Sequence, residues 1–485
     1  MGTVHAKESN MPKHINHTPS ENTQKQNFRD NDSQSHFQEK LNLFEKRKEE
    51  PVDLHTVKAR VDRIHVDGLT RTKDDIVKSQ VTELFKATDF YDVILRAYKV
   101  RQKLQGLGCF GNVGIYIDTS QGPHASPEGV EVTFTVREMR RMTGGISTMV
   151  GNNEGSVIVQ AKAPNLFGRG ERLQMEYSCG SKNSTNISIS AAKPFVDSGL
   201  HTVLTGSVFN TSNKFPWSGF NQNDKGLLLD VTLNPDGVGT LKHNIQYEAT
   251  YREIIPCKQS SFCVREQCGP NLKSALRYIL SIDSRDSMIF PTTGGLAQFS
   301  TEVAGLGGDI GLVKNEFTMQ TNWTPHECLT FQLGFQSGFL TGISNDMKIN
   351  IADRFFLGGP LNLRGFDMRG CGPRQDGNSL GGDAYWALAL HLYTPLPFRP
   401  GRNGFGDLFK LHGFINGGNV FSKLGNDYQE HMKIFTENVR CTAGGGIAMK
   451  LGNVARVELN LVMPLLFLRS DVLKQFQFGI GLQYL

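Results

Sequence analysis

The chain has 485 residues, a net charge of +5 at pH 7 and 52 glycines. Its mean hydropathy of −0.32 is typical of a soluble protein, and Pro464 interrupts its longest uncharged, mainly apolar run, residues 459–468. Because a spanning helix needs about 20 apolar residues, the sequence predicts no helical membrane span. The positive charge is small and dispersed, which argues against a nucleic-acid-binding protein.

The reactive side chains form no convincing catalytic or metal-binding pattern. Cys257, Cys263 and Cys268 are the most closely spaced of the eight cysteines, but they lack the paired spacing of zinc ligands. A disulfide within this trio is left open. The histidines are dispersed, and the acidic residues show no paired spacing. We therefore predict that the protein is not an enzyme and carries neither a metal nor a cofactor.

Residues 1–53 differ in composition from the rest of the chain. They are rich in Asn, Gln, His, Ser and Lys and poor in β-branched residues. Such a segment cannot bury enough apolar surface to offset the entropy cost of ordering, so we expect it to be disordered. No apolar stretch follows a basic start, so we also expect no secretory signal peptide and synthesis in the cytosol.

Residues 54–141 read as a small domain of their own. An alternating strand is predicted at 57–66, and two helical patterns follow, the second from about Phe90 to Leu107. Two further strands are predicted at 113–118 and 129–137. The order β-α-α-β-β within about 85 residues is that of a small α+β domain.

From Met142 to Leu485 apolar and polar residues alternate with a period of two. Transmembrane strands of about 9–11 residues place apolar side chains outward and polar ones inward. Glu176, Lys242 and Glu248 lie at strand centres, where a dry core would not tolerate them but a wet lumen would. Sixteen such segments begin near residues 142, 155, 170, 184, 200, 226, 240, 272, 294, 310, 328, 381, 409, 440, 453 and 475.

The pattern predicts a mainly β protein, with a 16-stranded antiparallel transmembrane β-barrel over residues 142–485 after one α+β domain. A closed barrel is the sheet that satisfies its backbone in lipid. A soluble sandwich or propeller is the alternative, and extraction with alkaline carbonate would distinguish the two, because a soluble protein would wash off membranes.

Several short motifs in the predicted barrel occur in the order found in one family. They are Asn165–Gly170, Asp283–Asp286, Phe290–Gly294, Leu363–Phe366 and Phe414–Gly418. With them, the chain over residues 54–485 resembles the BamA-type outer-membrane assembly superfamily, and within it the branch of the central barrel subunit of the mitochondrial sorting and assembly machinery. In that resemblance residues 54–141 look like a single polypeptide-transport-associated (POTRA) domain.

The resemblance implies that the protein folds β-barrel precursors and inserts them into the mitochondrial outer membrane, with the POTRA domain in the intermembrane space. Implied partners are the precursors, the lipid bilayer, accessory subunits of the sorting and assembly machinery and, as a further candidate, an inner-membrane cristae-organising complex. A passive pore or a polypeptide translocase is the alternative. A passive pore needs neither the POTRA domain nor the Arg364 motif, whereas a translocase would carry both.

Leu363, Arg364, Gly365 and Phe366 match the tip of a long loop that in the family folds back into the barrel lumen. The resemblance makes Arg364 the anchor of that loop. Asn416 stands where the family often has an acidic residue. Because arginine always carries charge and offers five donors, we expect the loop to dock on the inner wall, with Asn416 as a candidate partner.

The first and last barrel strands are the expected site of action. A client strand with an unpaired edge could pair there by β-augmentation. Glycines in both strands would ease opening, although close packing explains glycines equally well. The last strand also fits the β-signal pattern of mitochondrial barrels, as an ordinary membrane strand would by chance. The predicted gate residues are Met142, Gly144, Gly145, Ile146, Ser147, Met149, Gln477, Gly479, Leu482, Gln483 and Tyr484.

Overall fold

A computed structural model gives the fold in two compact units, residues 1–139 and 140–485. It describes residues 3–7, 54, 57–121, 123, 125–151, 154–195, 201–235, 239–326, 328–344, 349–396, 405–422, 437–452, 455–481 and 485.

The first unit is a four-stranded sheet with two helices, in the predicted order β-α-α-β-β preceded by one more strand. The sheet order is β1-β2-β4-β3, with β2 parallel to β4. The helices bury Val77 and Val81, and Val93 and Ala97, at helical spacing. The elements are β1 Thr3–Lys7, β2 Arg60–Asp67, α1 Asp74–Val81, a 3-10 turn Thr82–Lys86, α2 Phe90–Gly106, β3 Phe110–Thr119 and β4 Gly129–Glu138.

The prediction that the whole of residues 1–53 is disordered is wrong for one short segment. Thr3–Lys7 form β1, which pairs in parallel with Arg63–Asp67 of β2. The edge of β2 offers unpaired backbone donors and acceptors, and an extended segment of the same chain satisfies them. Residues 8–53 lie outside the part of the chain that the structure describes.

In the second unit the described residues include sixteen antiparallel strands in one sheet. They are β5 Thr143–Gly151, β6 Glu154–Pro164, β7 Arg172–Gly180, β8 Thr185–Phe195, β9 His201–Phe215, β10 Phe220–Asn234, β11 Leu241–Pro256, β12 Gly269–Asp283, β13 Gly294–Ala304, β14 Leu312–His326, β15 Leu329–Gly342, β18 Ala384–Pro395, β19 Phe409–Phe421, β20 Arg440–Leu451, β21 Ala455–Leu466 and β22 Phe476–Gly481. The shorter elements are α3 Phe262–Glu266, the hairpin strands β16 Arg374–Gln375 and β17 Asn378–Ser379, and 3-10 turns at Pro216–Ser218, Ile351–Asp353 and Phe405–Leu408.

The outward face of this sheet is apolar, as the alternation predicts. Met175, Ile189, Val208 and Leu227 follow one another in register across four strands, and each is exposed. An exposed apolar band of this kind is the lipid-facing surface of a transmembrane barrel. In the part of the chain described, no helix is long and apolar enough to cross a membrane.

One long loop between β15 and β18 packs against the inner wall of the barrel; its described residues, 343–344 and 349–383, are what we call the Arg364 loop. Leu357, Leu363 and Phe366 of this loop are buried against Ala387 and Val420 of the wall. A second cluster packs Ile351 of the loop against wall and loop residues near the ends of β10 and β11. The loop is therefore a packed part of the lumen, with its own apolar core.

Candidate functional site

The tip of the Arg364 loop is held by a buried ion pair with the barrel wall. The Arg364 guanidinium lies 3.0 Å (Nη2) and 3.1 Å (Nε) from Oε2 of Glu458 on β21, and both side chains are fully buried. The same guanidinium lies over the ring of Phe414, 5.2 Å from its centroid. A charge-assisted contact of this geometry fixes the position of the loop tip as well as its charge.

Glu458 is shared between two arginines. Arg456 on the same strand approaches its Oε1 to 2.6 Å, and the amide of Asn460 donates to its Oε2 at 2.8 Å. His412 Nδ1 lies 3.9 Å from Oε1. A carboxylate in a dry site needs such partners, because an unpaired buried charge is strongly unfavourable. These wall residues therefore hold the Glu458 carboxylate in the position where it contacts the loop arginine.

Gly365 is required by the close approach of the loop to the wall. Its φ is +89°, and an added Cβ would lie 2.8 Å from Val462 Cγ1 and 2.9 Å from Thr442 Cγ2. The hydroxyl of Thr442 also donates to the carbonyl oxygen of Arg364 at 2.9 Å. Only glycine combines this conformation with this contact.

Asn416, the sequence-predicted partner, does not hold the guanidinium. With its amide oxygen oriented toward the loop, it accepts a hydrogen bond of 3.2 Å from the backbone N–H of Arg364. The guanidinium instead takes the carboxylate of Glu458. An arginine in a water-poor site gains more from a carboxylate than from an amide oxygen. We therefore assign Glu458, and not Asn416, as the partner of the guanidinium.

The loop tip is also joined to the last barrel strand. Gln477 of β22 accepts from the N–H of Gly365 at 3.0 Å and donates to the carbonyl oxygen of Phe366 at 2.6 Å. Beyond the tip, the backbone of Asp367 donates to Val472, and that of Lys474 donates to Gly365, both at 2.9 Å. The loop and the chain entering β22 therefore form one hydrogen-bonded unit.

In the part of the chain that the structure describes, the first barrel strand makes no comparable contacts with the loop. Within the described residues, β5 pairs only with β6, although β5 and β22 lie next to each other. Residues 141–149 are exposed without exception, Met142 to 72% and Ile146 to 76%. We call the two adjacent edges the seam. An unpaired strand edge of this kind is a template for another strand.

The seam glycines have two explanations, easier opening of the strands and close packing of neighbouring side chains. Each applies to a different strand. A Cβ on Gly481 of β22 would lie 2.8 Å from Leu361 of the loop, so close packing requires glycine there. A Cβ on Gly144 or Gly145 of β5 would meet nothing closer than 3.7 Å. Gly144 and Gly145 therefore weaken β5 without serving the packing.

The other predicted gate residues divide between the two strands. Ser147 and Met149 lie on β5, and Gly479 is buried on β22 beside the exposed Phe478. Leu482, Gln483 and Tyr484 lie outside the described residues. Sequence reasoning missed Glu458, although one signal could have found it, because it is the single acid of β21 and follows an arginine by two residues.

The remaining motifs stabilise turns at the end of the barrel opposite the Arg364 loop. Asn165 has a φ of 60° and accepts from the N–H of Gly170 at 2.8 Å. Arg285 binds both carboxylate oxygens of Asp283 at 2.9 Å. Asp286 accepts from the N–H of Thr292 at 2.9 Å. These contacts fix the β6–β7 and β12–β13 turns.

Comparisons with known proteins agree with this arrangement. Residues 165–484 match the Omp85 superfamily domain. Sorting and assembly machinery component 50 homolog from Xenopus tropicalis is 40% identical over 88% of this chain and 90% of its own length, and the human homolog gives the same values. The crystal structure of BamA from Haemophilus ducreyi lacking POTRA domains 1–3 shares the fold, with a TM-score of 0.67 at 16% identity over 87% of this chain and 84% of that one. The chain belongs to the Omp85 superfamily.

Proposed function

We propose that this protein folds β-barrel precursors and inserts them into the mitochondrial outer membrane, as the barrel subunit of a sorting and assembly machinery. The relatives that carry that machinery's name match nearly the whole chain. The observation that carries the mechanism is the unequal seam, in which one edge strand is free and the other is fixed by the Arg364 loop.

The free edge belongs to β5. A precursor cannot place unpaired backbone groups in lipid, because each one costs several kcal/mol there. The exposed edge of β5 offers matching donors and acceptors, so the terminal strand of a precursor adds to it by β-augmentation. Its few packing contacts make β5 the strand that moves to accept the client.

The fixed edge belongs to β22. Gln477 ties that strand to Gly365 and Phe366, and Arg364 ties the same loop to Glu458. The loop therefore acts as a brace that keeps one side of the seam in place while the other pairs with the client. In this scheme the amino-terminal α+β unit is a POTRA domain in the intermembrane space, and accessory subunits complete the machinery.

A passive pore is disfavoured by the same contacts. The Arg364 loop packs buried apolar residues, including Leu357, Leu363 and Phe366, against the inner wall. The loop is also hydrogen-bonded to β22 through Gln477. A freely conducting pore has no need for a loop that is held inside the barrel in this way.

The function is tested by depleting the protein from mitochondria and importing a radiolabelled β-barrel precursor. We expect the precursor to reach the intermembrane space and remain unassembled, while a matrix-targeted precursor is imported normally. Normal assembly of the barrel in depleted mitochondria would contradict the proposal. Failure of both precursors would point to a general import pore instead.

A further inference from the structure

The Arg364 loop has a second buried ion pair at its other end. Asp353 closes the 3-10 turn Ile351–Asp353, near the start of the loop, and its side chain is 2% exposed. Arg252 Nη1 donates to both of its oxygens, at 3.1 and 3.0 Å, and Lys273 Nζ donates to Oδ1 at 2.9 Å. A carboxylate of the loop thus meets two cations of the wall.

The wall does not need Asp353 for its own charge balance. Lys273 also lies 2.6 Å from Glu302 of β13, and Arg252 lies 3.4 Å from Asp224 of β10. Each cation therefore keeps a carboxylate within the sheet when the loop is absent. What Asp353 adds is a connection between the loop and the wall.

The two ion pairs lie on opposite walls. Glu458 is on β21 and Lys273 on β12, the second and ninth strands in the order of the sixteen-stranded sheet. Eleven positions separate Asp353 from Arg364 in the sequence, so the short segment between them crosses the lumen. Both ends of this segment are held by charges in sites that exclude water, where such contacts are strong.

We propose that Asp353 is a second positioning residue of the Arg364 loop, and that its ion pairs with Arg252 and Lys273 keep the loop across the lumen and the lumen closed to ions. This rests on the proposed function only in giving the loop a part in client assembly. Release of Asp353 removes the charged contacts of the loop with β11 and β12, so the segment from 353 to 363 can move away from that wall while its tip stays bound to β21 and β22.

The test is ion conductance of the purified full-length protein in planar lipid bilayers, which requires no client. Asp353→Asn keeps the size of the side chain and removes its charge. We expect about a tenfold increase in the fraction of time spent in conducting states, equivalent to about 1.4 kcal/mol of loop docking. Asp353→Glu restores the carboxylate and should return toward the parent value.

Arg354→Gln is the matched control. Arg354 follows Asp353 directly in the sequence and is also charged. Its nearest carboxylate, that of Asp383, lies 3.7 Å away, and both side chains are partly exposed. We expect parent-like conductance from it. Unchanged conductance in Asp353→Asn, or an equal rise in Arg354→Gln, would overturn the proposal.

Folding is checked by the gel shift between unheated and heated samples that folded barrels show. If Asp353→Asn does not fold, Arg252→Gln serves instead, because it leaves Asp353 bound to Lys273, and a smaller rise is expected. A parent-like value there would equally count against the anchor. Since conductance involves no precursor, normal precursor assembly in depleted mitochondria would contradict the proposed function and leave this result unaffected.

Discussion

The side-chain amide of Gln477 donates to the carbonyl oxygen of Phe366 at 2.6 Å, which joins the last barrel strand to the tip of the Arg364 loop. The other end of the same amide accepts from Gly365 at 3.0 Å. One side chain thus satisfies two backbone groups of the loop in a site where water is excluded. Position 477 is therefore a brace between loop and seam, in addition to its place in a β-signal pattern.

Replacement of Gln477 by Leu should loosen both the loop tip and β22. Two buried backbone groups lose their partners, which costs about 2 kcal/mol or more. We expect faster hydrogen–deuterium exchange over residues 472–481 and slower precursor assembly. The matched control is Gln475→Leu, since the side chain at 475 is exposed whereas that of Gln477 is buried. Equal exchange in the two variants would contradict the brace.

Replacement of Arg364 by Ala should leave the barrel membrane-inserted but impair client assembly. The change leaves the carboxylate of Glu458 with Arg456 but without its loop partner, at a cost of about 1.5–3 kcal/mol to loop docking. The measurement is assembly kinetics of an imported precursor, with carbonate extraction as the check on insertion. Normal kinetics in this variant would remove the loop from the mechanism.

The pairing of Arg364 with Glu458 is isolated by a double-mutant cycle. Glu458→Gln alone leaves two arginines, Arg364 and Arg456, close together without a counter-charge. The double variant Arg364→Ala with Glu458→Gln should be less impaired than the sum of the single variants. Strict additivity would mean that the two side chains act independently.

Which face of the sheet meets lipid and which meets the lumen is tested by replacing each of two adjacent leucines with arginine. Leu229 is exposed on the outer face of β10, whereas Leu228 points inward and is paired across the strands with Glu248. Leu229→Arg should lower the stability of the barrel by about 2–4 kcal/mol if it lies near the bilayer midplane, since the charge enters lipid. Leu228→Arg should be tolerated, and urea unfolding from lipid vesicles measures both. A larger loss of stability in Leu228→Arg than in Leu229→Arg would contradict this assignment of faces.

Acid should destabilise the amino-terminal unit through Glu138. Its carboxylate accepts from the N–H groups of Thr70, Arg71 and Thr72 at 2.9–3.1 Å. Burial alone would raise the pKa of Glu138, but the hydrogen bonds, led by those from Thr72, outweigh it and lower the pKa from 4.5 to about 2. The depressed pKa adds stability above pH about 4.5, and this stability is lost as the pH falls toward 2.

We expect hydrogen exchange of residues 60–139 in the full-length protein to speed up between pH 5 and pH 3 beyond the intrinsic change, by an amount equivalent to about 2 kcal/mol. Glu138→Gln should show the faster exchange already at pH 6 and little further change on acidification. A parent-like pH response in that variant would show that another group is responsible.

The barrel strands could be predicted from the sequence because the signal is local. A strand with one face in lipid and one in a wet lumen repeats every two residues, and the sixteen predicted starts fall within six residues of the observed ones. The helices at Asp74 and Phe90 likewise follow from their apolar spacing. In each case the cause lies within about ten neighbouring residues.

The contacts of the loop could not be predicted in this way, since they depend on which walls the loop reaches. Arg364 was recognisable as an anchor, but its partner Glu458 is 94 positions away in the sequence. Asp353 and Arg252 are 101 positions apart. Alternation shows that such side chains point inward and does not say which of them meet.

The most direct measurement is photo-crosslinking of an arriving precursor to the seam. A photoreactive amino acid replaces Ser147 on β5 or, as the control, Ser190 on β8, which lies on the same inner face three strands away. We predict that the terminal strand of the precursor crosslinks at Ser147 and not at Ser190. Crosslinks of equal strength at the two positions, or at Ser190 alone, would contradict assembly at the seam.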